Sequence, residues 1–66
     1  MNRDLIKRLR AIRGMNQYQF SEFIGISRAQ LAQIEAGYIS PSQIVKDKIY
    51  SSFESEYIEK VRALLE

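Results

Sequence analysis

The run GISRAQLAQIEAGYISP, residues 25–41, places one guanidinium and two carboxamides close together, at Arg28, Gln30 and Gln33. Such groups donate and accept hydrogen bonds in set geometries and do not titrate near neutral pH, so they suit recognition and not proton transfer. Leu31 and Ile34 lie between and beside them, spaced to bury one side of a short helix. The sequence thus fixes a helix by one face and offers polar groups on another. Reaction centres are hard to assemble elsewhere. The chain has no His and no Cys. The usual zinc sites, His-based acid–base or triad chemistry and any disulfide framework are therefore excluded. A carboxylate-only site remains formally open, but there is no Gly-rich phosphate loop, and no enzyme is expected.

The elements that must position these groups are short. The chain has 66 residues, and a domain of this size buries only about 60% of its unfolded surface. One domain with a marginal core is expected over 1–66, of a kind that gains stability by association. The net charge is +2 but unevenly spread. Residues 1–14 carry a net +4, whereas 15–40 and 41–66 each carry −1. A basic front suits one face turned to a polyanion, and equally suits a solvated helix surface. No apolar run approaches the roughly 18 residues of a membrane span, and MNRDLIKRLR lacks the apolar core of a signal peptide. A cytoplasmic protein without membrane contact is expected.

The periodicity is helical throughout, with no alternating strand and no hairpin signal. A first helix is expected over about 3–13, with Leu5, Ile6, Leu9 and Ile12 on one stripe, Gly14 as its stop and Met15 buried. A second covers 17–24 behind the cap Asn16, with Phe20, Phe23 and Ile24 inward, and Gly25 ends it. Ser27 caps a third that runs to about 36, before Gly37. Ser40 followed by Pro41 reads as a cap and first helical residue of a fourth over about 41–52, with Ile44, Val45, Ile49, Tyr50 and Phe53 as its apolar set. A fifth starts near 55 and carries Tyr57, Ile58, Val61, Leu64 and Leu65. The second and third are joined by only Gly25, Ile26 and Ser27, which makes a helix-turn-helix unit over about 17–36.

The stretch LRAIRGMNQYQFSEFIGISRAQLAQIEAG resembles the lambda-repressor-like family, the Cro/cI or XRE type of helix-turn-helix. The resemblance rests on the joint spacing of Leu9, Arg10, Arg13, Gly14, Met15, Asn16, Gln17, Phe20, Ser21, Ile24, Gly25, Ile26, Ser27, Leu31, Ile34, Glu35 and Gly37. It implies an all-α, compact five-helix fold. It also implies a sequence-specific regulator that binds double-stranded DNA with its third helix in the major groove. On that basis Arg28, Ala29, Gln30 and Gln33 are the expected reading positions. Arg matches the guanine O6/N7 edge, Gln the adenine N6/N7 edge, and Ala a thymine methyl. Asn16, Gln17 and Ser27 are expected at phosphates, and Tyr38 and Ser40 along the DNA backbone. Lys7 and Arg8 would add long-range attraction. Each has a plainer reading. Gln17 can be a simple helix-start residue, Gln30 can lean on the second helix, and Tyr38 can pack at the core edge or against a second copy. Arg10 and Glu35 are expected to form a structural ion pair between the first and third helices.

Two departures stand out. Ser21 occupies a position where the family most often has Ala, and its hydroxyl can bond the carbonyl four residues back. Ala36 replaces the more usual Asn. So few reading groups imply a short half-site, and a homodimer on a palindromic operator is expected, with half-sites about 34–36 Å apart. Tyr50, Phe53, Tyr57, Ile58, Val61, Leu64 and Leu65 are the candidates for its contacts, the alternative being that all are core. A bacterial or phage repressor is the nearest analogy. The other class of function is a protein-interaction module of antitoxin or anti-repressor type that keeps the fold without using it on DNA. No cofactor, metal or small-molecule ligand is expected, and regulation would act through concentration, proteolysis or a protein partner.

Overall fold

Three glycines set where the first helices end. Gly14, Gly25 and Gly37 all have positive φ, between 67° and 86°, the left-handed region that a side chain disfavours. In the computed structural model, which describes residues 1–65, they separate α1 (Arg3–Ile12), α2 (Gln17–Ile24) and α3 (Arg28–Ala36). Two further helices, α4 (Gln43–Ser52) and α5 (Ser55–Leu65), complete the described residues, among which there is no strand.

The helix starts follow from side-chain caps that take up otherwise unpaired N–H groups. Asn16 accepts from the Gln19 N–H, and Gln19 returns a bond to the Asn16 N–H, a reciprocal capping box. Ser27 accepts from the Gln30 N–H and starts α3. Asn2 caps α1 through the Leu5 N–H, a role absent from the sequence-based reading. The start of α4 differs from expectation. Ser42, and not Ser40, is the cap, accepting from the Val45 N–H, and Pro41 lies before the helix.

The core is built from all five helices. Leu5, Ile6 and Leu9 of α1 meet Phe20 and Ile24 of α2, Leu31 and Ile34 of α3, Val45 and Ile49 of α4, and Phe53, Ile58 and Val61. Met15 and Ile26 are half-buried against it. α1 packs on α3 and α5, and α2 packs on α3 and α4. Several expected core positions lie outside. Ile12 is 48% exposed, because it lies on the rim of a groove with Val61, Leu64 and Leu65 while Leu9 of the same turn takes the core position. Ile44 is 67% exposed, because the helix seats itself through Val45, Ile49 and Phe53 at four-residue spacing. Phe23 is partly exposed, its ring edge-on to Phe53 and under the Arg13 guanidinium. Ser21 is buried between helices, and its hydroxyl donates to the Tyr18 carbonyl, three residues back and not four.

One charged group is buried with the apolar ones. Glu35 on the inner face of α3 is 3% exposed and faces Arg10 of α1, 24% exposed. Arg10 grips the carboxylate with two bonds, from Nε at 2.9 Å and Nη2 at 2.8 Å. Its remaining Nη1 donates to the Met15 carbonyl at 3.2 Å. Gln17 of α2 donates a third bond to Glu35 Oε1 at 3.2 Å. A single carboxylate therefore ties α1, α2 and α3 together.

Three stability predictions follow, all read by urea unfolding. Phe20→Ala, which empties the centre of the core, should cost about 3–5 kcal/mol, a large share of a stability of roughly 5–15 kcal/mol. Ile12→Ser should change it by less than about 0.5 kcal/mol. A double-mutant cycle of Arg10→Ala and Glu35→Ala should give a coupling of about 2–4 kcal/mol, below that of a fully buried pair because Arg10 keeps contact with water. Additive losses would remove the pair as the tie between the helices.

Candidate nucleic-acid interface

α3 is held on one side only. Leu31, Ile34 and Glu35 face the core, and Arg28, Ala29 and Gln33 are exposed. Gln30 is half-buried, in keeping with a side chain lying toward the rest of the unit. Among the described residues, the side chains of Arg28, Gln30 and Gln33 make no hydrogen bond or ion pair within the protein. The five N–H groups of Arg28 and the paired donor and acceptor of each Gln amide are thus unspent. Ser27 stands beside them, exposed, its hydroxyl oxygen turned to the Gln30 N–H.

Residues expected at phosphates divide into two kinds. Asn16 is exposed at the start of α2, and its Oδ1 is committed to the Gln19 N–H, so its amide group is what remains to offer. Gln17 is half-buried and its amide donates inward to Glu35. Its side chain therefore helps orient α2 against α3, and the second N–H and the Oε1 of the amide remain to offer. Tyr38 is 83% exposed, and Ser40 is also exposed, on the segment leaving α3. That segment folds back on the helix, since the Tyr38 and Ile39 N–H groups both donate to the Gln33 carbonyl. Tyr38 and Ile39, on the segment leaving α3, and Ile44 near the start of α4 are exposed apolar side chains.

The cations are mostly occupied elsewhere. Arg3 donates to the Ala36 carbonyl, Lys48 to the Gly25 carbonyl, and Arg10 to Glu35 and Met15. Arg13 lies over the Phe23 and Phe53 rings at 5.0 and 5.3 Å. Lys60 and Arg62 pair with Glu56 and Glu59 along α5. This use of basic residues at helix ends was not legible beforehand. Spacing within one helix is readable, but a bond between residues 23 or 33 apart needs the fold.

The candidates for association are thinned by the packing. Phe53, Ile58 and Val61 are buried in the core and are closed to a second copy. Tyr50 is half-buried, its hydroxyl accepting from Arg62. Tyr57 stacks on Phe53 with an exposed edge. Leu64 and Leu65 remain exposed and line a shallow groove with Arg8, Ile12 and Val61 between α1 and α5. No group of His, Cys, Asp or Glu among the described residues could hold a metal ion. No helix among them is long and apolar enough to cross a membrane.

Comparison with known proteins agrees with this geometry. No curated protein and no solved structure matches the chain. A family model described as helix-turn-helix matches residues 6–49, from the middle of α1 to Ile49 of α4, and so spans the Arg10–Glu35 pair, the Gly25 turn and the whole of α3. With that match over most of its length, the chain belongs to the helix-turn-helix family of the XRE, Cro/cI type, a family of DNA-binding regulators.

Proposed function

We propose that the protein is a sequence-specific transcriptional repressor that reads a short palindromic operator as a homodimer, with α3 in the major groove. The observation that carries this reading is the split character of α3. Its inner face is fixed by Leu31, Ile34 and the bonded Glu35, while the side chains of Arg28, Gln30 and Gln33 have no hydrogen-bond partner among the described residues. Polar groups held rigid and left unsatisfied are what base-edge recognition needs. In this arrangement Arg28 reads guanine, Gln30 and Gln33 read adenine, and Ala29 lies against a thymine methyl. Asn16, Gln17, Ser27, Tyr38 and Ser40 flank them along the phosphates.

The dimensions support pairing. The Cα extents of one copy are 27 × 22 × 21 Å, so two copies fit side by side at the roughly 34–36 Å that separates half-sites on successive turns. Tyr57, Leu64 and Leu65 are the exposed apolar groups available for the contact. Their area is small beside the roughly 800 Å² per partner of a stable interface, so pairing belongs on the DNA. A second reading, a module that binds another protein, is favoured by the exposed apolar side chains of Tyr38, Ile39 and Ile44.

Selection from a random duplex library at physiological salt tests the proposal. An enriched inverted repeat with half-sites one helical turn apart is expected. A single half-site would remove the dimer, and no enrichment by the folded protein would favour the protein-binding reading. Against the selected operator, Gln33→Ala should relax preference at one base position by about 1–3 kcal/mol. Equal weakening on every sequence would take Gln33 out of the reading set.

A further inference from the structure

Besides Arg10 at Glu35 and Arg13 over Phe23, two cations from helices outside the helix-turn-helix unit reach it at the two ends of α3. Lys48 of α4 donates from Nζ to the Gly25 carbonyl at 2.7 Å, in the turn two residues before the cap Ser27. Arg3 of α1 donates from Nη1 to the Ala36 carbonyl at 3.1 Å, on the last residue of α3. The final carbonyls of a helix lack partners within it and form the negative end of its dipole, so a cation there is favourable. Gly37 is favoured for its φ of 84°, and a Cβ there would displace the Arg3 guanidinium from its place beside the helix end.

The inner anchors of α3 leave work for these two bonds. The inner anchors Leu31, Ile34 and Glu35 begin at the fourth residue of the helix. Arg28 and Gln30 precede the first of them, and the segment of Tyr38 and Ser40 beyond Gly37 follows the last. Base reading tolerates displacements of only about 0.5 Å. We propose that Lys48 and Arg3 are positioning residues for DNA reading: Lys48 holds the turn that sets the first turn of α3, and Arg3 holds the exit that aims the 38–40 segment. The inference rests on the DNA-reading function, and neither side chain is assigned a contact with DNA.

The test compares wild type with Lys48→Met, Lys48→Arg, Arg3→Met and Arg3→Lys. Fluorescence anisotropy is measured on the operator that the wild type selects, on its single-base variants and on unrelated duplex, across a range of salt. Thermal unfolding gives the folded fraction. Each Met variant should remain folded and lose about fivefold in operator affinity, the effect of one charge-assisted hydrogen bond partly open to water. Binding to unrelated duplex should hold, and the salt dependence should keep its slope. Lys48→Met should blunt discrimination at the bases read by Arg28 and Gln30 while sparing the base read by Gln33. Lys48→Arg and Arg3→Lys should recover most of the loss, since each restores a cationic donor. Without DNA, the Tyr38 amide, bonded to the Gln33 carbonyl, should exchange faster in Arg3→Met.

Unchanged affinity and discrimination in folded Met variants would overturn the proposal. So would a salt slope reduced by about 0.9, the mark of a lost phosphate contact. A loss that only tracks the unfolded fraction would reduce both residues to general stabilisers and overturn it as well. These outcomes leave wild-type operator binding intact. A folded wild type that selects no duplex would overturn the DNA reading, and this proposal with it.

Discussion

The Glu35 carboxylate is the constraint on which the geometry of the unit depends. A charge buried to this degree is tolerable only when its hydrogen-bonding capacity is filled. Here the two Arg10 bonds and the Gln17 amide fill it from two different helices. Any rotation of α3 about its axis, or slide of α1 along it, would strand the carboxylate. Apolar packing alone tolerates such adjustments more readily, because it has no direction. Leu31 and Ile34 give α3 its seat, and Glu35 fixes its bearing.

Basic residues then take a part that net charge does not reveal. Chain turns at Gly14, Gly25 and Gly37 leave carbonyls at the ends of three helices, and a cation sits on or next to each turn: Arg10 at Met15, Lys48 at Gly25, Arg3 at Ala36. Of the cations in the first 14 residues, Arg10 is offset by a carboxylate from another helix, Glu35. Arg3 and Arg13 are held by a neutral carbonyl and by two rings, and they keep their charge while serving the internal geometry.

Local chemistry was the legible part. Caps at Asn16 and Ser27, glycine stops and the spacing of Leu31 with Ile34 are short-range signals, and the boundaries of α2 and α3 follow from them. Signals failed where two local rules competed or where the answer lay across the fold. Ser40 with Pro41 is as good a helix start as Ser42, and only the need to turn Val45 inward decides for Ser42. Ile12 has the right spacing for the α1 stripe, yet Leu9 of the same turn takes the core position and Ile12 is left on the rim of a groove. The inward turn of Gln17 was hidden because its position at a helix start has an equally good outward explanation, and the choice is made by Glu35, 18 residues on. At the carboxyl end, five apolar residues shared one pattern, and the rotation of α5 against α1 sorted Ile58 and Val61 from Leu64 and Leu65.

The bare side chains on the outer face of α3 carry a consequence for descent. Because Arg28, Ala29 and Gln33 are exposed and hold up nothing, their replacement leaves the core, the caps and the buried carboxylate untouched, and surface changes of this kind usually shift stability by no more than about 0.5 kcal/mol. On the proposed reading, a lineage with this architecture exchanges one set of target sites for another in a few substitutions, without passing through unfolded intermediates. Duplicated copies can diverge into regulators that ignore one another's genes while sharing every internal contact. The scaffold is conservative, and its vocabulary is free to change.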